Sequence, residues 1–234
     1  PISGRSVKPR TEGYTMVIDK GLGLRATQDL VEVAAEWIDD VKLTFGTSCF
    51  YEEDLLRRKI EIIRKAGVEV MPGGTYLEIA VWQGVLDQYL EKTKELGFSM
   101  VEVSDGTIPI AAARRANIIK KALALDLKVI TEVGKKDPRE RLELETIHEQ
   151  IASDLAHGAF KVIIEAREAG KGVGIYDDEG RIKEEELESI VAGVADANDL
   201  LWEAPLKQQQ QYLIFYFGIN VNLGNVYPED VLVL

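Results

Sequence analysis

Short apolar runs alternate along this chain with longer segments in which apolar residues recur every three or four positions. A two-residue period giving way to a 3.6-residue period marks strands followed by helices. The runs predict strands at 15–19 (TMVID), 41–45 (VKLTF), 68–72 (VEVMP), 99–104 (SMVEVS), 128–133 (KVITEV), 160–165 (FKVIIE), 200–204 (LLWEA) and 219–223 (INVNL). Helix punctuation lies between them. Thr27 precedes the periodic Leu30, Ala34 and Ile38, and Gly67 and Gly97 stand where glycine closes a helix. Eight strands with seven intervening helices predict a (β/α)8 TIM barrel, one domain over 1–234, rather than an open doubly wound sheet. Eleven residues follow the last predicted strand, so the eighth helix is expected to be missing from the chain, by truncation. No G-x-G-x-x-G follows the first strand, which leaves a dinucleotide site without support.

Strand residues in a barrel alternate between the helix layer and the interior. Val41, Leu43 and Phe45, Val101 and Val103, and Val162 and Ile164 form apolar outward sets. The same parity sends Lys42, Glu102, Glu132, Glu165 and Glu203 inward, with Lys136 beyond the fifth strand. Asp19 or Lys20, at the end of the first strand, is expected to join them, and Asn220 and Asn222 share the inner face of the eighth. Charges inside a barrel are costly unless paired or bound to a metal, and in this fold the C-terminal face carries the chemistry. The carboxylates Glu102, Glu132, Glu165, Glu203 and Asp19 are therefore candidate ligands of a hard, oxygen-preferring ion, Mg²⁺.

Composition narrows the chemistry. With two His and one Cys there is little room for a zinc site and none for an internal disulfide. A net charge of −12 argues against a phosphate-tracking nucleic-acid binder. The longest apolar run, 212–217 (YLIFYF), is too short to span a membrane. A reduced cytoplasm is the expected compartment. His148 and His157 fall on the helix after the fifth strand, and Cys49, Trp37, Trp82 and Phe215 read as packing residues.

Three strand-to-helix loops have anion-binding character. Lys135 and Lys136 adjoin after the fifth strand, and as neighbouring ammonium groups they are expected to depress at least one pKa. Arg167, Lys171 and Gly172 lie in AREAGKGVG after the sixth, where glycine amides could turn toward an anion. Asn222 and Gly224 lie in NLGNV after the eighth, where barrels often build a phosphate site.

KPRTEGYTMVIDKGLG (8–23), VKLTFGTS (41–48), MPGGT (71–75), VEVSDGTI (101–108), TEVGKK (131–136), IIEAREAGKGVG (163–174), EAPLKQQQ (203–210) and NLGNV (222–226) together resemble the phosphosulfolactate synthase family. The resemblance implies a (β/α)8 barrel that adds sulfite to phosphoenolpyruvate with Mg²⁺, giving (2R)-phospho-3-sulfolactate. In methanogenic archaea that reaction opens coenzyme M synthesis. The resemblance makes Lys136, second lysine of EVGKK, the general acid. It offers Arg167, Lys171 and the strand-8 loop as groups for phosphate and sulfite, with Lys20 or Lys42 helping to neutralise them. A homo-oligomer is expected, with small molecules as its only other partners. Two further readings compete: an aldolase forming a Schiff base through Lys42 or Lys136, and, by resemblance to plant relatives, a stress-linked interaction protein.

Overall fold

Strand parity decides the architecture. On one face Val17, Val41, Leu43, Val70, Val101, Val103, Val129 and Val162 are buried against helices. On the other, Met16, Met71, Met100, Ile130, Ile163 and Leu201 meet around a common axis with Tyr14. The computed structural model describes residues 4–137, 139–140, 142–166 and 169–234. Its eight strands are β1 (Thr15–Asp19), β2 (Asp40–Leu43), β3 (Glu69–Pro72), β4 (Met100–Val103), β5 (Lys128–Val133), β6 (Lys161–Ile164), β7 (Leu200–Glu203) and β8 (Leu223–Val226). They pair in parallel in the order β3-β2-β1-β8-β7-β6-β5-β4. The two ends meet where the Ser99 amide donates to the Val70 carbonyl (3.1 Å), completing a (β/α)8 barrel.

Helices α1 (Leu24–Ala34), α2 (Glu53–Lys65), α3 (Gly74–Trp82), α4 (Leu86–Leu96), α5 (Ala112–Ala124), α6 (Leu144–Ala156), α7 (Glu184–Ala192) and α8 (Lys207–Phe217) surround it. The β3–β4 connection carries two of them, α3 and α4. Charge placement suits α2, with Glu53 and Asp54 in its first turn and Arg64 and Lys65 in its last. Gly97 ends α4 in the left-handed region that glycine enters without strain. Among the described residues no helix follows β8, only a 3-10 turn at Pro228–Asp230, and no helix is long and apolar enough to cross a membrane.

The eighth strand is displaced from its predicted place, 219–223. Apolar alternation across Ile219, Val221 and Leu223 imitates a strand, but the polar groups here tie off the bottom of the barrel. Asn220 O accepts from the Gly13 amide (2.7 Å), and Asn222 Oδ1 accepts from the Tyr14 amide (3.0 Å). Pairing with β1 begins only at Leu223, opposite Thr15. It then slips, Val17 facing Val226, so that β8 carries one extra residue against β1. Asn225 takes a left-handed conformation within that slip (φ 53°), which asparagine tolerates better than most side chains.

Candidate active site

Directly above the apolar layer sits a charged one. Lys42 of β2 points its Nζ at Glu203 Oε1 (2.9 Å), Glu102 Oε2 (3.0 Å) and Glu132 Oε2 (3.9 Å). Lys136 reaches back from the β5 loop to Glu132 Oε1 (3.2 Å) and Glu165 Oε2 (3.6 Å). All four glutamates are at most 2% exposed. Backbone amides fix two of them: Gly74 N–H donates to Glu102 Oε1 and Ala166 N–H to Glu203 Oε2, both at 2.9 Å. The group floors a cavity of about 600 Å³ at the C-terminal mouth.

Burial and mutual charge set the protonation states. Burial alone would lower both lysines. For Lys42 the carboxylates of Glu102, Glu203 and Glu132 outweigh it, and for Lys136 those of Glu132, Glu165 and Glu102, so both are held well above the ordinary lysine range. This reverses the expectation that neighbouring lysines depress one another. Lys135 turns away from Lys136 and donates to the Asp105 carbonyl (2.9 Å). Burial raises Glu165, with Glu132 and Glu203 adding to the rise. Burial also raises Glu102 to about 7, against the pull of Lys42. In Glu132 the effect of burial is overcome by Lys136 and Lys42, which hold it at about 2. The pair Glu132–Glu165 thus shares one proton, with the charge on Glu132.

Once the proton shared by Glu132 and Glu165 is released, four carboxylates against two ammonium groups carry a formal charge of −2 in a buried layer, which one divalent cation taking the proton's place would balance. Oxygens of Glu132, Glu165 and Glu203 lie within 4.8 Å of one another, and an all-oxygen set suits a hard cation. The residues present therefore fit a divalent ion.

The other candidates are placed differently. Asp19 faces outward: Oδ2 pairs with Lys59 of α2 (2.5 Å) and Oδ1 accepts from the Gly21 and Leu22 amides (2.8 Å each). Parity explains this, because Met16 and Ile18 take the inner face of β1. Lys20 is exposed at the rim, its Nζ 4.5 Å from the Tyr227 ring centre. Lys171 is exposed, and Gly172 donates its amide to Asp177 O (2.9 Å) and lines a neighbouring groove under the β6 loop. Arg167 lies outside the described residues. Asn222 sits at the opposite end of β8 from the mouth, its Nδ2 donating to Asn198 O and Leu200 O. Gly224 faces the barrel interior, where any side chain would collide with Leu201 and Met16. Cys49, Trp82 and Phe215, expected to pack, are exposed.

Several mouth residues escaped the sequence reading. Gly73, Gly74, Thr75 and Asn225 line the cavity, beside Thr44, which strand parity sends inward together with Lys42. Only MPGGT carried a usable signal: α3 starts directly at the end of β3 and runs its first turn against Glu102 and Ser104, where a Cβ at Gly74 would collide with both.

A (β/α)8 barrel with carboxylates and protonated lysines converging at its C-terminal mouth is an enzyme of the barrel class acting on small molecules. The family profile described as (2R)-phospho-3-sulfolactate synthase (ComA) matches residues 3–234. The chain is 39% identical over 232 residues to the phosphosulfolactate synthase of Methanothermobacter thermautotrophicus, covering 98% of this chain and 90% of the relative. For the Methanocaldococcus jannaschii enzyme the figures are 42% over 225 residues, 95% and 89%, and for that of Bacillus subtilis 34% over 232, 98% and 90%. The chain belongs to the (2R)-phospho-3-sulfolactate synthase family. Among solved structures it resembles phosphonopyruvate hydrolase (TM-score 0.59, 12% identity, 92% of this chain, 76% of that one). It also resembles 2,3-dimethylmalate lyase, of the PEP mutase/isocitrate lyase superfamily (TM-score 0.55, 12% identity, 94% and 76%). At such identities the likeness concerns the fold.

Proposed function

We propose that this enzyme joins sulfite to C3 of phosphoenolpyruvate, giving (2R)-phospho-3-sulfolactate, with Mg²⁺ held by Glu132, Glu165 and Glu203. The observation that carries the reading is the convergence of Lys42 and Lys136 on four buried glutamates at the mouth of a barrel of this family. The sulfur lone pair of sulfite forms the new bond to C3. The C2–C3 π pair moves to C2 and spreads into the substrate carboxylate, and C2 then takes one proton. Lys136 suits the role of donor, because Glu132 and Glu165 keep it an ammonium and its chain is 20% exposed toward the cavity. Lys42, clamped between Glu102 and Glu203, contributes a fixed positive charge beneath the developing carboxylate charge. Lys20, exposed at the rim beside Tyr227, would add positive charge that draws anions in. When bound, Mg²⁺ would supply further positive charge for the carboxylate oxygens as they take up the electron pair.

Both lysines are held in the protonated form, which cannot attack a carbonyl, so the geometry disfavours the Schiff-base reading. We infer a cytoplasmic homo-oligomer. On α3 and its flanks Phe50 (85%), Trp82 (73%), Ile79 (37%) and Val85 (39%) are exposed apolar side chains that contact between copies would bury. The reaction is tested by incubating the protein with sulfite, phosphoenolpyruvate and Mg²⁺ and following phosphorus NMR. A new phosphosulfolactate signal is expected, and its absence at high enzyme concentration overturns the reading.

A further inference from the structure

Glu78 is a fully buried carboxylate that lies outside the mouth cavity. It stands on α3, where Oε1 accepts from Ser104 Oγ (2.5 Å) and Oε2 accepts from the amides of Thr107 (2.9 Å) and Ile108 (2.6 Å). All three donors belong to one loop, 104–108, between β4 and α5. Burying a carboxylate is expensive, and hydrophobic packing would hold a loop at lower cost. Three bonds to a charged acceptor do something packing does not: they fix the loop in direction as well as in place.

What the loop touches is Lys136. Gly106 O accepts from the Lys136 amide (3.1 Å). A methyl group at Gly106 would stand 3.1 Å from Lys136 Cγ and 3.3 Å from its Cε, so the lysine stem lies flat along the loop. One turn earlier on α3, on the same face, Thr75 Oγ1 accepts from Lys136 Nζ itself (3.1 Å). The Gly74 amide, at the start of the same helix, holds Glu102. A single helix therefore touches the ammonium directly and its stem through the loop.

We propose that Thr75 and Glu78 are positioning residues for Lys136, Thr75 orienting the ammonium and Glu78 the loop on which its stem rests. This rests on the reading of Lys136 as the proton donor. A donor displaced by about 1 Å loses rate far more than it loses substrate affinity.

The test compares Thr75→Val, which keeps shape and removes the acceptor, with Thr75→Ser, which keeps it, and Glu78→Ala with Glu78→Gln. Thr75→Val is expected to lower kcat about 10- to 100-fold with KM for phosphoenolpyruvate within about twofold, and Thr75→Ser to restore it. Glu78→Ala is expected to show the same split among folded molecules, and Glu78→Gln a smaller one. Independently of turnover, carbon-13 NMR of lysine-labelled protein reads the Lys136 side chain, its signal assigned with Lys136→Met. That signal should move in Thr75→Val and Glu78→Ala and return in Thr75→Ser. Wild-type kcat in Thr75→Val, or a Lys136 signal unmoved by both variants, overturns the proposal. If the wild-type protein forms no product, the reading of the reaction fails and the NMR comparison decides the positioning alone.

Discussion

Lys42 and Glu203 meet at 2.9 Å across the mouth of the barrel, although 161 positions separate them and β1 and β8 stand between their strands. Lys42 also faces Glu102 (3.0 Å), so its loss strands two buried carboxylates. Lys42→Met should destabilise the metal-free protein by about 3–5 kcal/mol. Mg²⁺ should recover part of that loss, as seen by urea unfolding with and without the ion. A variant as stable as wild type in the absence of Mg²⁺ would show that the lysine does not hold the cluster together.

Lys136→Met removes the proposed donor while leaving the cavity floor in place. Turnover should fall about 10²- to 10⁴-fold, the usual worth of a positioned acid, with phosphoenolpyruvate binding still measurable by calorimetry. Wild-type rates in this variant would take Lys136 out of the mechanism.

Gly224 separates two accounts of the β8 end. As a phosphate-loop glycine its replacement would weaken substrate binding. Facing Leu201 and Met16, Gly224→Ala should instead overpack the interior, lowering stability by about 1–3 kcal/mol and leaving KM for phosphoenolpyruvate unchanged among folded molecules. A raised KM at unaltered stability would favour the phosphate account.

The base of the barrel should give stability its own pH dependence. Burial raises the Asp40 carboxyl from its ordinary 3.8 to about 8, with Asp39 adding to the rise and Tyr14, Lys42 and Lys128 opposing it. The folded protein therefore holds this proton more tightly than the unfolded chain. The resulting stability is complete below about pH 3.8 and is lost as pH rises through about 8, at up to about 1.4 kcal/mol per pH unit. Glu102 and Glu165, also raised, slope in the same sense, so Asp40→Asn should make the decline between pH 5 and 8 shallower without abolishing it. Lys161, lowered by burial to about 8, works in the opposite direction only above that pH. Denaturant titrations across the range measure the slope, and an unchanged one would mean Asp40 is already ionised.

Self-association is tested at the exposed face of α3. Trp82→Asp with Phe50→Asp should shift sedimentation toward the monomer while preserving the circular dichroism spectrum. A wild-type protein that sediments as a monomer at micromolar concentration would exclude an oligomer.

Legibility in the sequence tracked alternation. In β4, β5 and β6 apolar outward residues leave the inner positions unambiguous, and Glu102, Glu132 and Glu165 stand where parity puts them. β1 is apolar on both faces, as parallel strands often are, so its pattern gives no phase, and Asp19 falls to the helix side. The slip at Asn225 breaks the alternation in β8, and no count of residues foresees a bulge. Lys135 and Lys136 adjoin in sequence, yet the backbone sends one to Asp105 and the other to the cluster. Thr75 and Glu78 matter only through contacts with loops 61 and about 30 positions away, which a helix pattern cannot show.

β8 is the one strand that joins β1 to β7. Before it docks, Lys42 belongs to a sheet of three strands and its partners Glu102 and Glu203 to a sheet of four. The halves are then held near one another mainly at the Ser99–Val70 contact. Lys136, Glu132 and Glu165 lie together within the four-strand half, so during synthesis it is the Lys42–Glu203 pair that waits for residues 223–226 to leave the ribosome and close the sheet.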